Sequence, residues 1–258
     1  MQSVDLATAR ISYVDQAPIV KTGKSAELLP ILLVHGFASS INDNWRATQW
    51  IKFLAESGFR VIALDNRGHG KSEKFYSIGD YTLELMANDA MQLLDYLKIE
   101  KTHLMGYSMG SRISAVVAMN FPDRVGRLIL GGNGYGMIEG TGDWDPVHDG
   151  LLAASLDEVT DQRARAFRRF ADRTGSDRKA LAACLLGIRQ LFTEEQFAQI
   201  KNQVLVAIGS DDDIAGSGQK LADLMTNARY FPIPGRDHMR ATGDKHFKSM
   251  AVEFLQSG

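Results

Sequence analysis

A pentapeptide with serine at its centre, Gly106-Tyr107-Ser108-Met109-Gly110, constrains this chain more than any other stretch. The apolar run 102–105 leads into it, and residues 111–119 after it are mostly small or aliphatic. This order predicts a strand, a tight turn and a helix, with the serine in the turn. Glycine has no Cβ atom, so the turn can be sharp. A serine held there is exposed to a base and lies beside main-chain N–H donors, as a nucleophile requires.

Apolar runs and helical patterns alternate along the chain on both sides of this turn. A continuous apolar run such as 31–34 is typical of a strand buried on both faces. Further strands are predicted at 60–64, 102–107, 125–130, 204–208 and 229–233. Helical patterns follow at 45–57, 81–97, about 218–225 and 245–255. The alternation predicts an α/β fold with a mostly parallel, doubly wound sheet. Residues 4–15 alternate in polarity and predict an antiparallel hairpin at the sheet edge, followed by a polar loop at 16–30.

The alternation stops after Leu130. The glycine-rich run 131–136 lacks the spacing of a dinucleotide-binding loop and indicates a hinge. From 137 to 200 no strand pattern occurs, and helical stretches at 157–173 and 178–192 dominate. We therefore expect a core made of residues 1–136 and 201–258, with residues 137–200 inserted as a helical cap.

Composition bounds the possible partners. The chain has 258 residues and a net charge of -2, which gives no reason to expect nucleic acid or an anionic membrane as a partner. The lone cysteine, Cys184, excludes an internal disulfide, and we expect it to be a small buried apolar residue. The N-terminal residues do not resemble a signal peptide, and no apolar run approaches the ~20 residues of a membrane span. These features predict a cytoplasmic protein and leave its oligomeric state open.

Three further patterns suggest ligand sites, but each has a simpler explanation. Gly-Lys-Ser occurs at 23–25 and 70–72, but the glycine that a phosphate loop needs five places earlier is Pro18 or Asp65. The aspartate run 211–213 has no second acidic cluster to complete a calcium site. The arginines of 163–173 are interspersed with aspartates and apolar residues, which favours a solvated helix face. We expect no cofactor and no metal.

A serine, an acid and a histidine follow three different predicted strands in the order that a nucleophile turn requires. His238 is the histidine that follows a late strand in a loop, and it would take the proton of Ser108. An aspartate of 211–213 would orient the imidazole. The main-chain N–H groups of Phe37 and Met109 would bind the oxyanion.

Together these segments resemble the serine esterase and lipase-like branch of the α/β-hydrolase superfamily. The matching motifs are His35-Gly36-Phe37, Asp65-x-Arg67-Gly68-x-Gly70-x-Ser72, Gly106-Tyr107-Ser108-Met109-Gly110, Gly209-x-x-Asp212 and Gly235-x-x-His238. The resemblance implies Asp212 as the acid and His238 as the base, with Phe37 and Met109 as oxyanion donors. A serine at the nucleophile position separates the chain from the dehalogenases and epoxide hydrolases that use aspartate. Nothing in the presumed cap is diagnostic of a substrate.

The expected function is hydrolysis of an uncharged or modestly polar small-molecule carboxylic ester through an acyl-enzyme on Ser108. The same triad serves thioester, lactone and carbon–carbon bond hydrolysis and peracid formation, so these reactions stay open. A ligand-binding protein on a hydrolase scaffold is a third alternative. Residues beside the predicted turn and oxyanion loop could line the substrate pocket, namely Gly36, Tyr107, Asn44 and Trp45. For Asn44 and Trp45, packing at a helix start is an equal alternative. We expect Asp65 and Arg67 to pair structurally.

Overall fold

The computed structural model of the protein describes residues 1–19 and 28–257. Most of the predicted polar loop at 16–30, including Gly23-Lys24-Ser25, lies outside these residues. Within them, the strands are β1 (Gln2–Asp5), β2 (Arg10–Gln16), β3 (Ile31–Val34), β4 (Val61–Leu64), β5 (Thr102–Tyr107), β6 (Val125–Gly131), β7 (Gln203–Gly209) and β8 (Ala228–Ile233).

The strands form one sheet in the order β1-β2-β4-β3-β5-β6-β7-β8. β1 pairs antiparallel with β2, and β2 antiparallel with β4, whereas every other neighbouring pair is parallel. The predicted edge hairpin and the mostly parallel sheet are both confirmed. Because parallel strands point the same way, the residues that follow β3, β5, β7 and β8 meet at one edge of the sheet.

Helices cover both faces of this sheet, and further helices form the segment between β6 and β7. They are α1 (Trp50–Glu56), α2 (Leu83–Tyr96), α3 (Met109–Asn120), α4 (Gly136–Glu139), α5 (Asp145–Leu152), α6 (Gln162–Thr174), α7 (Arg178–Gly187), α8 (Glu194–Ala198), α9 (Gly218–Ala222), α10 (His238–Ala241) and α11 (Lys245–Gln256). Side chains alternate along β3, so Leu32 and Val34 pack with α2 and α3, while Ile31 and Leu33 pack with α1 and α11. No helix in residues 1–19 or 28–257 is long and apolar enough to cross a bilayer.

The helix predicted over 45–57 is two segments. A π-helical turn spans Ile41–Arg46, and α1 begins only at Trp50. Gln49, between them, has a φ of 66°, in the left-handed region that interrupts a right-handed helix. The main-chain N–H of Ile41 donates to Asp65 Oδ1 at 2.7 Å, which ties the start of the turn to the end of β4.

The segment between β6 and β7 is helical throughout its regular structure, from α4 to α8. Helices α5, α6 and α7 share a small apolar cluster of their own, which includes Val147, Ala164 and Leu181. Ala38, which follows β3, also belongs to this cluster, so the insert packs over the strand ends.

The arginine-rich helix α6 is less solvated than its sequence suggests. Arg168 is buried, and its guanidinium donates to the main-chain oxygens of Gly150 and Ala153 at 2.8 and 2.9 Å. Its Nε donates to Asp172 at 2.9 Å. The expectation of a wholly solvated face is therefore wrong at Arg168, because this side chain satisfies carbonyls at the end of α5.

Candidate active site

Ser108 lies in the sharp turn between β5 and α3. Its φ of 53° and ψ of -120° fall where residues other than glycine are rarely found. Such a conformation costs about 1–3 kcal/mol and persists only where its surroundings hold it in place. The main-chain N–H of Ser108 donates to the main-chain oxygen of Gly131 at 2.8 Å. The Asn133 side-chain amide donates to the main-chain oxygen of Ser108 at 3.2 Å. Hydrogen bonds from the end of β6 thus hold the turn.

The glycines that flank the serine are required by close backbone contacts. A Cβ atom on Gly106 would lie 2.2 Å from the Gly110 oxygen, and one on Gly110 would lie 1.9 Å from the Val34 oxygen. Atoms do not approach so closely, so each position excludes a side chain. The two glycines let α3 start directly against β5 and β3.

His238 and Asp212 meet Ser108 at this edge. His238, the first residue of α10, has its Nε2 3.0 Å from Ser108 Oγ and its Nδ1 2.8 Å from Asp212 Oδ2. A carboxylate only accepts hydrogen bonds, so the Nδ1–H donates to Asp212 and Nε2 is free to accept from the serine hydroxyl. This arrangement can transfer a proton from the hydroxyl to the imidazole.

Asp212 is distinguished from its two neighbours by its surroundings. Its carboxylate has no exposed area, and Oδ1 accepts from the N–H groups of Ile214 and Ala215 at 2.9 and 3.0 Å. Asp211 and Asp213 are exposed, and Asp211 accepts from the Ser210 hydroxyl. Only Asp212 of the three reaches the imidazole.

The main-chain N–H groups of Phe37 and Met109 donate to no acceptor among the described residues. Met109 is the first residue of α3, where N–H groups lack a partner within the helix. The loop before Phe37 is held because the Gly36 N–H donates to Asn44 Oδ1 at 3.0 Å. Two unpaired donors near a strained serine suit a developing oxyanion.

A cavity of about 310 Å³ opens beside Ser108 and His238. The core contributes Phe37, Met109, Arg112 and Asn133 to its wall, whereas the insert contributes residues such as Trp144 and Ile188. No sequence motif marked Arg112, Asn133 or Trp144. Only the position of Arg112, one helical turn beyond the nucleophile, could have identified any of them.

The four residues predicted to line the substrate pocket do not line this cavity, and the structure assigns them supporting positions. Gly36 and Asn44 form the hydrogen bond that holds the oxyanion loop. Trp45 is fully buried, 6.4 Å from Trp50 between ring centres. Tyr107 points into the core, and its hydroxyl donates to the His238 oxygen at 2.5 Å. Burial raises the pKa of Tyr107, so the hydroxyl stays protonated as a donor.

The predicted pairing of Asp65 with Arg67 is wrong. Arg67 forms a two-pronged ion pair with Asp89 of α2, with both nitrogen–oxygen distances at 2.7 Å. Asp65 instead accepts from the N–H groups of Ile41 and Lys71, and burial raises the pKa of its carboxyl. Arg67 and Asp89 are 22 residues apart in the sequence, so no local pattern predicted this ion pair.

Two histidines lie side by side, with tilted rings, behind the loop that carries Phe37. His35 and His69 have ring centres 5.3 Å apart, and both are buried. Burial lowers the pKa of His35 to about 4 and that of His69 to about 3, so both rings are neutral at pH 7. His35 Nε2 accepts from the Asn66 N–H at 3.0 Å.

The sequence model for the alpha/beta hydrolase fold matches residues 30–179, more than half of the chain. The chain belongs to the α/β-hydrolase fold family. The resemblance seen in the motifs is thus confirmed at the level of the superfamily. Among the residues that the structure describes, no group of three or more His, Cys, Asp or Glu side chains could hold a metal ion in this hydrolase.

A curated relative from Escherichia coli is a 2-hydroxy-6-oxononadienedioate/2-hydroxy-6-oxononatrienedioate hydrolase. It is 38% identical over 112 residues, a match that covers 41% of this α/β-hydrolase and 36% of the relative. The match therefore spans little more than a third of the relative's length.

Solved structures share the whole fold at lower identity. A hydrolase from Pseudomonas aeruginosa superposes with a TM-score of 0.79 at 22% identity, covering 99% of this chain and 98% of its own. An enol-lactonase from Burkholderia xenovorans superposes with a TM-score of 0.76 at 22% identity, covering 99% of this chain and 100% of the enol-lactonase. A meta-cleavage product hydrolase from Pseudomonas fluorescens superposes with a TM-score of 0.72 at 22% identity, covering 99% of this chain and 97% of its own. At this identity the likeness establishes the α/β-hydrolase fold alone.

Proposed function

We propose that this protein hydrolyses small-molecule carboxylic esters through an acyl-enzyme on Ser108. The observation that carries the proposal is the unbroken hydrogen-bond chain from Asp212 through His238 to Ser108, with distances of 2.8 and 3.0 Å. A serine hydroxyl is a weak nucleophile unless an adjacent base takes its proton. A continuous chain of this kind supplies that base and fixes its tautomer.

In the first half-reaction, Ser108 Oγ bonds to the carbonyl carbon of the ester as its proton moves to His238 Nε2. Asp212 stabilises the imidazolium that results. The carbonyl oxygen becomes an oxyanion beside the N–H groups of Phe37 and Met109. When the tetrahedral intermediate collapses, the carbon–oxygen bond to the alcohol breaks, and His238 gives the proton to that alcohol.

In the second half-reaction, water attacks the acyl carbon and gives a proton to His238. The bond from the acyl carbon to Ser108 Oγ then breaks, and the proton returns to the serine. The carboxylic acid leaves, and the enzyme is restored without a cofactor. We further propose that residues 137–200 act as a cap, since Trp144, Ile188 and neighbours close one side of the cavity.

The test compares Ser108→Ala with Ser249→Ala, a serine on the exposed face of α11. With 4-nitrophenyl butanoate as substrate, Ser108→Ala should abolish turnover, and Ser249→Ala should keep the wild-type rate. Circular dichroism of both variants checks that each is folded. Turnover retained by folded Ser108→Ala would refute the proposal.

Hydrolysis of a carbon–carbon bond is the second candidate, and the 38% identity to the Escherichia coli relative favours it. The same serine, histidine and aspartate could serve either reaction, because a fold does not dictate its chemistry. The two are separated by kcat/KM for a 2-hydroxy-6-oxo-dienoate against kcat/KM for 4-nitrophenyl butanoate. A markedly higher value for the dienoate would make carbon–carbon cleavage the principal reaction.

A further inference from the structure

Arg112 lies inside the cavity that contains the nucleophile. It belongs to α3, four residues after Ser108, and both residues line the cavity wall. Four residues of helix advance by about 6 Å, so the guanidinium is carried by the turn next to the nucleophile. The proposed ester-cleavage reaction gives Arg112 no role.

The guanidinium has unusually few partners for its position. Its Nη2 donates to the main-chain oxygens of Ile188, at 3.2 Å, and of Gln190. Its plane lies against the Phe192 ring, 5.4 Å from the ring centre. The Nε atom is buried without a partner, and Nη1 donates to no acceptor among the described residues. Each partner is neutral, so no protein group in residues 1–19 or 28–257 balances the positive charge.

The other ionisable side chains that line the cavity have a partner of opposite charge or are solvated. Arg189 pairs with Asp145 at 2.6 Å, and His238 pairs with Asp212. Asp143 is exposed to solvent. Burial lowers the pKa of Arg112 only to about 10, so the side chain is positively charged at pH 7. Of the two described arginines in the cavity wall, Arg112 is the one without a carboxylate.

A charge taken out of water is costly unless an opposite charge meets it. In a substrate cavity, that opposite charge can come with the substrate. Guanidinium binds carboxylate through short, charge-assisted hydrogen bonds, often two at once. A single unbalanced cation matches a monoanion such as carboxylate, whereas a phosphate dianion would bring one charge too many.

We infer that Arg112 is a subsite for a carboxylate carried by the substrate, so that the preferred ester is an acidic one. This inference rests on the proposed function, and it replaces the uncharged ester expected from the sequence. Because Arg112 is one helical turn from Ser108, the carboxylate should lie only a few bonds from the carbonyl that is attacked.

Two substrate pairs test the inference and locate the carboxylate. On the acyl side, mono-4-nitrophenyl adipate is compared with 4-nitrophenyl pentanoate. On the alcohol side, 3-acetoxybenzoate is compared with methyl 3-acetoxybenzoate. For one pair, the wild-type kcat/KM of the acid should exceed that of its neutral partner by about tenfold or more, as expected for a charge-assisted hydrogen bond. Equal or lower values for both acids would overturn the inference.

The preference for the acid should depend on Arg112. In Arg112→Met, the ratio of acid to neutral kcat/KM should fall to about one or below, because the counter-charge is lost. Arg112→Lys should keep part of the preference, since it keeps the charge without the planar fork. Arg169→Met is the matched control: Arg169 is exposed on α6 and does not line the cavity, so the ratio should stay at its wild-type value. An acid preference that survives in Arg112→Met would overturn the inference.

Arg112 also holds carbonyls of the insert, so Arg112→Met could lose structure. Ser108 labelling by a fluorophosphonate reports whether the site is assembled in each variant. If the wild type hydrolyses no ester at all, the proposed function fails, and adipate binding by calorimetry then tests the subsite alone. Adipate bound by the wild type, more weakly by Arg112→Lys and not by Arg112→Met would support the subsite. No binding to the wild type would overturn it.

Discussion

His238 Nε2 lies 3.0 Å from Ser108 Oγ, although 130 residues separate the two in the chain. The sheet brings them together, because β5 and β8 run in the same direction and both residues follow the carboxyl ends of these strands. Tyr107 strengthens the link, since its hydroxyl holds the main-chain oxygen of His238. Ser108 and His238, the proposed nucleophile and base, are therefore positioned by the same core.

Asp212→Asn should remove the group that fixes the imidazole tautomer. We expect kcat for 4-nitrophenyl butanoate to fall by about 10⁴, the loss seen when a protease triad loses its carboxylate in this way. Asp211→Asn and Asp213→Asn are matched controls, because these aspartates are exposed neighbours of the same loop. Steady-state kinetics give kcat for the three variants, and only Asp212→Asn should show the loss. If Asp212→Asn behaved like its neighbours, the orienting role of Asp212 would be wrong.

Gly110→Ala should prevent the turn from closing, since the new methyl group would lie 1.9 Å from the Val34 oxygen. A clash with the backbone of a central strand cannot be relieved by a rotamer change, so we expect a loss of about 3 kcal/mol or more in unfolding free energy. Gly79→Ala is the control, because a Cβ atom there meets nothing within 4 Å. Urea unfolding measures both. Equal unfolding free energies for Gly110→Ala and Gly79→Ala would contradict the close contact between Gly110 and Val34.

Asp89→Ala should leave the Arg67 guanidinium buried without its carboxylate. Loss of one partner of a buried ion pair costs about 3–5 kcal/mol of unfolding free energy. The surface pair of Lys52 and Glu56 is the comparison, because both side chains are exposed, and Glu56→Ala should cost under ~0.5 kcal/mol. Urea unfolding of the two single variants tests this difference, and similar losses would show that the buried pair carries no special weight.

Acid should weaken the fold through three buried histidines. Burial lowers the pKa of His35 and His103 to about 4 and that of His69 to about 3, against about 6.5 in the unfolded chain. Between pH 6.5 and 4 the unfolded chain therefore binds more protons. Unfolding free energy should fall as the pH decreases through this range, by up to about 1.4 kcal/mol per pH unit for each histidine.

His103→Gln isolates one of these contributions, because glutamine does not titrate and can still accept from the Arg127 N–H that His103 Nδ1 accepts from. Between pH 4 and 6.5, the slope of unfolding free energy against pH should be smaller in the variant by the contribution of about one proton, which is about 1.4 kcal/mol per pH unit. The measurement is urea unfolding at four pH values in this range. An unchanged slope would mean that His103 is not held neutral by the fold.

Local patterns predicted most of the sheet and the two residues, Ser108 and His238, that it brings together. Strands such as Ile31–Val34 are continuous apolar runs, and burial on both faces demands such runs. The pentapeptide around Ser108 could be interpreted because the contact that makes its turn sharp, between Gly106 and Gly110, lies within its own five residues. The acid could be assigned to Asp212 only through the spacing of related proteins, since three adjacent aspartates are equivalent by local chemistry.

What could not be predicted depends on contacts between distant segments. The partner of Arg67 is Asp89, which a helix packed on the sheet brings into reach. Gln49 carries no sequence signal for the left-handed conformation that divides the helix predicted at 45–57. The cavity wall combines Arg112 of the core with Trp144 of the insert, and the insert has no motif that would reveal how it packs.

Covalent labelling tests the central claim most directly, because it reads the reactivity of the Ser108 oxygen itself. The wild-type protein is treated with a fluorophosphonate, and the modified peptide is located by tandem mass spectrometry. A single adduct on Ser108, formed far more slowly in Asp212→Asn and absent in Ser108→Ala, is the predicted result. A wild-type protein that stays unlabelled, or an adduct that persists in Ser108→Ala, would contradict the proposal that Asp212 and His238 activate this serine.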